Sequence, residues 1–231
     1  MGQLMKLSDF LASSTELASA AGFQQLSITP DLASVEKSLP SGTLRCDAQR
    51  WLGARAELRM VLIESPKIQV ISCFVYPQAD VALPLYAMEL VQLGAKPIVA
   101  VIDAAAPLQD PAQPFTRHWL QQAHCAHADL INADDPPTWF QECRSGLDFF
   151  VRPSDLAELQ RMGLLHLSLL TSYLQALPTA IQRSAIAALE FERFTRHYKD
   201  HHAAHSPGLP LMHKSFGPEW TARFMQQCFF Y

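Results

Sequence analysis

VISCFVYPQADVALPLYAMELVQLGAKPIVAVIDAAAPL, residues 70–108, decides the fold of this chain. It holds three apolar runs, VISCFVYP, LPLYAMELVQL and KPIVAVIDAAA, parted only by the turn signals PQAD and GAK. Gaps this short join antiparallel neighbours, because a parallel pair needs a crossover of about a dozen residues or more. Within IQVISCFVYP both alternating sets of side chains are apolar, which predicts a sheet covered on both faces.

SVEKSL (34–39), TLRCDAQRWL (43–52) and RAELRMVLIES (55–65) extend the strand-like region back to residue 34, with SG and SP marking turns. Before it, residues 4–22 have helical spacing, with Leu4, Leu7, Phe10, Leu11 and Leu17 on one face. After Pro107 the spacing predicts helices over 114–130, 138–146, 154–176, 179–204 and 218–229, with Ser154 and Pro218 as start signals. FFVRP, 149–153, reads as a late strand returning to the sheet. Helices at both ends can cover both sides of one sheet. The expected class is therefore α/β: a three-layer α/β/α sandwich with a central antiparallel β-sheet. No low-complexity linker interrupts it, so 1–231 reads as one domain.

Composition narrows the function classes. A net charge of −4 and a pI near 6.1 give no global basic field for nucleic acid. The five cysteines are odd in number and lack CxxC spacing, so they read as reduced thiols and not as a disulfide framework or a four-thiolate site. The N-terminus lacks the long apolar core of a signal peptide, and no stretch of about 18 apolar residues exists to span a membrane. A soluble, cytoplasmic protein is expected.

GxGxxG, Walker A, GxSxG and HExxH motifs are all missing, so nothing supports a bound nicotinamide or flavin. What stands out is polar residues inside apolar strands: Ser72 in VISCFVY, Glu89 in LYAMELVQL and Asp103 at the end of PIVAVID. A buried carboxyl finds a donor or stays protonated. Held protonated, it can hand a proton to a substrate near neutral pH. Asp103, at a strand end, reads first as a turn-holding residue. In RHYKDHHAAH, 196–205, a continuing helix would align His197, His201 and His205. No Cys or Asp stands at a ligand spacing from them, so a solvated histidine-rich helix end is favoured and no metal site is assigned. His124 and His127, around Cys125, read as surface helix.

The order of these segments resembles the ferredoxin-dependent bilin reductases. In that family a strand ends in F/Y-P, a loop leads to LP, an apolar run and an acid, and a further strand ends in D-x-x-P. LDFFVRPSDLAE is similar to its strand-to-helix segment. RHYKDHHAAHSPGLPLMHKSFGPEWTARFMQQCFF is similar to its C-terminal ending, where FG-x-x-W and the terminal aromatics are the most specific piece. The resemblance covers roughly 43–231, loosely over 108–146 apart from PPTW at 136–139.

The resemblance implies an α/β/α sandwich holding biliverdin IXα between the sheet and the C-terminal helices. It implies reduction to a phycobilin or dihydrobiliverdin through bilin radicals. Reduced [2Fe–2S] ferredoxin would supply single electrons with no cofactor bound, and side chains would supply protons. The acid that protonates the bilin is normally aspartate; the matching residue here is Glu89. The position where phycocyanobilin-forming members carry a histidine is Ser72, and their second glutamate matches Glu64 if a hairpin is shortened. The C-terminal loop, commonly Asn-Asp or a single Asp, is His205–Ser206 here. His205 is expected to replace a carboxyl as proton donor. Asp103 matches an aspartate found across the family. The expected catalytic set is thus Glu89, His205 and Glu64, with Ser72, Asp103 and Ser206 at the substrate. A monomer is expected, with Arg193, Arg196, Lys199 and Lys214 as candidates for meeting acidic ferredoxin. A non-catalytic bilin-binding protein of the same fold is the alternative.

Overall fold

The computed structural model describes residues 5–130 and 135–230. Strands β1 (Gln24–Leu26), β2 (Ser34–Leu39), β3 (Gly42–Leu52), β4 (Ala56–Ser65), β5 (Ile68–Pro77), β6 (Leu85–Leu93), β7 (Lys96–Ala105) and β8 (Phe149–Val151) form one eight-stranded sheet. Pairing is antiparallel throughout: β1 and β2 share one edge of β3, and β4 to β8 follow in chain order. The expected meander is present, and FFV returns to the sheet as β8 along β7.

Alternation sends the two side-chain sets of this sheet into two cores. Leu58, Met60, Ile71, Cys73, Tyr86, Met88, Ala100 and Ile102 pack under helices α1 (Leu7–Ala20), α3 (Gln113–Ala126) and α5 (Leu156–Ala176). Val61, Ile63, Phe74, Tyr76, Leu85 and Ala87 face the other way. Over them lie α4 (Thr138–Gln141), α6 (Ala185–His205), α7 (Leu209–Phe216), α8 (Pro218–Phe224) and a wider final turn, Met225–Phe229. A short helix α2 (Pro30–Ala33) adds Leu32 to that second core. The three-layer α/β/α sandwich is therefore as expected. Of the expected first helix, Leu4 lies outside the described residues.

The differences have local causes. Helix α5 begins after Asp155, whose side chain accepts from the Glu158 amide; Ser154 instead donates to the Glu158 carboxylate. Helix α6 starts at 185, not 179, because Pro178 sits in a separate short turn and Ser184 caps the helix by accepting from Ala187 N. The segment 209–216, which Pro207, Gly208 and Pro210 make look like loop, is helical. Pro210 falls in its first turn, where no amide proton is required. Helix 138–146 contracts to α4.

Helix α6 is fastened to the sheet at its start by Arg183. This fully buried guanidinium pairs with Asp110 at 2.7 and 3.0 Å and lies 3.6 Å over the Phe191 ring. It also donates to the carbonyls of Ala79, Val81 and Leu83 in the β5–β6 loop. A buried charge needs this degree of satisfaction. The contact fixes the helix that roofs the second core.

The first core holds one buried histidine, His166 of α5. Ser14 donates its single proton to the Phe10 carbonyl at 2.8 Å, so His166 Nε2–H donates to Ser14 Oγ at 2.9 Å. Nδ1 is then left to accept from Tyr86 Oη at 2.8 Å. Every group is satisfied, and burial pushes the imidazole pKa down to about 3.

Two outcomes follow from this layer. A folded pKa below the unfolded value near 6.5 means the unfolded chain binds the extra proton. His166 should therefore contribute full stability above about pH 6.5, lost at up to about 1.4 kcal/mol per pH unit as pH falls toward 3. Asp103, raised to about 6, carries the opposite sign. Comparing urea denaturation of the wild type with His166→Gln at pH 7, 6, 5 and 4 isolates the histidine. The variant's stability should fall less steeply with acid, and equal slopes would contradict this. In the same interface α1 and α5 touch through Gly163, where a Cβ would meet the buried Phe10 ring at 2.5 Å. Gly163→Ala gains roughly 1 kcal/mol of helix propensity but overpacks a site that has no room to give. A net loss on the order of 1–2 kcal/mol is expected in the same denaturation assay. An unchanged or higher midpoint would refute the tight contact.

Candidate active site

Ser72 of β5 and Glu89 of β6 are direct cross-strand partners on the α6-facing side of the sheet. Ser72 is buried, and its hydroxyl donates to Glu89 Oε2 at 3.2 Å. The strand alternation that buries Phe74 and Ala87 under the C-terminal helices also places Glu89 there. Desolvation raises the Glu89 pKa, and the Ser72 hydrogen bond opposes the rise. The carboxyl therefore keeps its proton to higher pH than a solvated glutamate.

Glu89 borders a cavity of about 580 Å³ between this face and the helices above it. That volume falls within the range of about 300–1,000 Å³ common to small-molecule sites. Phe74, Ala87, Val99, Val101 and Phe150 supply the sheet wall, Trp139 and Phe140 come from α4, and Phe229 and Phe230 come from the chain's last turn. Against these, the polar wall residues are Glu89, Lys96, Arg152, Tyr198, His202 and Ser206. His202 Nε2 lies 3.3 Å from the Cys143 thiol, and its ring packs, tilted, 4.2 Å from that of Tyr198. Burial, reinforced by His201 and His205, pushes the His202 pKa down to about 3. Burial likewise pushes the Cys143 thiol up to about 12. The pair is thus neutral on both sides at physiological pH. An aromatic slot with one protonatable carboxyl and two cations at its border suits a large, flat, anionic ligand.

The structure sorts the residues singled out from sequence. Glu89 and Ser206 border the cavity. Ser72 does not; it stands behind Glu89 as its donor. Asp103 shares the face but is buried away from the wall, accepting from Ala104 N at 2.8 Å and Ser145 N at 3.1 Å. Its burial, with Asp148 nearby, raises its pKa to about 6. It ties a strand end to the 142–148 loop, correcting its expected place at the substrate. His205 is also corrected: it ends α6, is exposed, and donates from Nδ1 to the His201 carbonyl at 2.9 Å. Glu64 is corrected by register. It pairs with Gln69 and faces the α1 side, beside Lys6, Ser8 and Gln92, on the opposite face of the sheet from Glu89. The β4 residue facing Ser72 across the ladder is Val61.

Four polar wall residues, Lys96, Arg152, Tyr198 and His202, are absent from the site set expected from sequence, although His202 lies beside the histidine column noted there. Phe191, Phe194, Tyr198 and His202 form one inward stripe of α6 at helical spacing, a signal present in the sequence. His205 continues that stripe into solvent. His201 takes a structural part, its Nε2 donating to the Trp139 carbonyl at 2.5 Å. Among the described residues no three His, Cys, Asp or Glu side chains converge as a metal site.

A family model described as ferredoxin-dependent bilin reductase matches residues 12–231. The chain belongs to this family. A curated relative, phycocyanobilin:ferredoxin oxidoreductase of Trichodesmium erythraeum (strain IMS101), is 26% identical over 169 residues, 71% of this chain and 66% of its own length. The chain thus matches just under two thirds of that relative. Phytochromobilin synthase from tomato, solved in complex with biliverdin, superimposes with a TM-score of 0.72 at 12% identity, covering 97% of this chain and 83% of its own. The solved structure of PcyX gives a TM-score of 0.55 at 12% identity, covering 95% of each chain. At such identities these two likenesses show the bilin reductase fold alone. Among the described residues no helix is long and apolar enough to cross a membrane.

Proposed function

We propose that residues 1–231, acting as one unit, reduce biliverdin IXα as an oxidoreductase acting on CH–CH groups. Reduced [2Fe–2S] ferredoxin is the proposed electron donor, with no resident cofactor, and the product is a phycobilin or dihydrobiliverdin. The observation that carries this is Glu89: a carboxyl with a raised pKa in the wall of an aromatic cavity, in a chain of this family. Reducing one bilin double bond takes two electrons and two protons. Glu89 donates a proton to the bound bilin, which makes the π-system a better electron acceptor. An electron from ferredoxin then gives a neutral radical. A second electron and a second proton, passed in from solvent, complete the reduction, and Glu89 is reprotonated for the next cycle. The apolar walls shield the radical between these steps. Lys96 and Arg152, both exposed at the cavity border, are suited to the propionate carboxylates. Ser72 keeps the Glu89 carboxyl oriented.

The test is anaerobic turnover with biliverdin and reduced ferredoxin, followed by product chromatography. Glu89→Gln should bind biliverdin yet slow reduction by about 10²–10⁴-fold, the usual worth of a positioned proton donor. Glu89→Asp, a shorter acid, should retain part of the rate. Full activity in Glu89→Gln would remove the residue from the mechanism. Tight binding without turnover by the wild type would favour a non-catalytic bilin binder.

The donor's docking gives a second outcome. Arg193, Arg196 and Lys214 are exposed on the helices covering the cavity face. Lys199 is more enclosed, its ammonium 4.1 Å from the Tyr76 ring centre and its pKa lowered to about 8 by burial and then by Arg59. If the exposed cations steer acidic ferredoxin, reduction should slow as salt rises from low ionic strength past about 0.15 M, where screening acts beyond about 8 Å. A rate independent of salt would count against this docking face.

A further inference from the structure

Tyr198 is 1% exposed and lines the cavity, yet its hydroxyl has no hydrogen-bond partner among the described residues. The two tyrosines buried in the first core differ. Tyr173 donates to the Pro84 carbonyl at 2.7 Å, and Tyr86 is 2.8 Å from His166 Nδ1. An enclosed hydroxyl without a partner costs roughly 1–3 kcal/mol, so a phenylalanine at this position would make a more stable free protein. The surroundings do not relieve it. The ring packs at a tilt against His202, whose Nε2 is turned to Cys143, and lies 6.3 Å from Phe194. Burial, with the nearby Asp103 and Glu89 carboxyls adding to it, keeps the phenol protonated. It is a neutral donor.

The matching ligand group is a neutral acceptor. A carboxylate would be drawn to Lys96 and Arg152, and a pyrrole N–H is itself a donor. An open-chain tetrapyrrole carries lactam carbonyl oxygens at its two ends, and these are neutral acceptors attached to an apolar ring. We propose that Tyr198 is a positioning residue whose hydroxyl donates a hydrogen bond to a lactam carbonyl of the tetrapyrrole in this cavity. The inference rests on the tetrapyrrole reading above and deepens it. Through this bond the chain fixes which end of the bilin lies under α6, and hence which carbons approach Glu89.

Tyr198→Phe removes the hydroxyl and keeps the ring, so three measurements decide. Biliverdin affinity, followed by absorbance titration, should weaken roughly tenfold, the loss of one hydrogen bond to a buried acceptor. The melting temperature of the ligand-free variant should equal or exceed that of the wild type. The lactam carbonyl stretch of bound bilin, read by resonance Raman, should move to higher frequency as the carbonyl loses its donor. Unchanged affinity and an unchanged carbonyl band would overturn the inference while leaving the tetrapyrrole reading intact. So would a fall in melting temperature, since it would show that the hydroxyl already holds a partner within the fold. A wild type that binds no biliverdin at all would overturn the tetrapyrrole reading itself, and this inference with it.

Discussion

The central strands have no face left for water. β5, β6 and β7 carry apolar side chains on both alternating sets, so the sheet must be roofed twice. The chain meets this with α1, α3 and α5 on one side and its C-terminal helices on the other. The two roofs differ in closure. The first makes close contacts such as Phe10 on Gly163 and leaves a smaller hollow beside Glu64. The second leaves a space between the sheet, α4, α6 and the last turn, and that space is the cavity. The burial that makes the second roof necessary is also what desolvates Glu89.

Polar groups on the two faces divide along the same line. His166, Ser14 and Tyr86 form a chain in which every donor and acceptor is matched, and such a network specifies one packing. Around the cavity the pairing is incomplete. Glu89 accepts from the Ser72 hydroxyl, and the Tyr198 hydroxyl has no partner among the described residues. Arg183 shows that the same layer can satisfy a buried charge fully where structure alone is at stake. An unmatched hydroxyl in the wall of an apolar cavity marks a place where a ligand can complete the structure.

Much of the fold was legible because its signals are local. Short turns between apolar runs give antiparallel order, and double-sided alternation gives two covering layers. Glu89 was legible for the same reason, as a carboxyl flanked by apolar residues within a strand. Glu64 was not, because a shift of one residue in register moves a side chain to the other face and the length of the β4–β5 hairpin sets that register. His205 and His202 share one helical direction, so spacing cannot rank them. The covering elements do: α4 and the last turn enclose His202, with the Trp139 ring 5.4 Å and the Phe230 ring 6.0 Å away, while His205 stands in solvent. Helix α7 was hidden by prolines that act as breakers in a helix interior but are tolerated in a first turn.

The central claim is that Glu89, in the cavity wall, keeps its proton to higher pH than a solvated glutamate and hands it to the proposed bilin substrate. Isotope-edited infrared titration, with Glu89→Gln as the subtraction reference, reads that proton directly. The carboxylic C=O band assigned to Glu89 should persist above the midpoint near 4.3 of a solvated glutamate and should shift when biliverdin is added. A band that titrates at or below that midpoint, indifferent to biliverdin, would contradict the account.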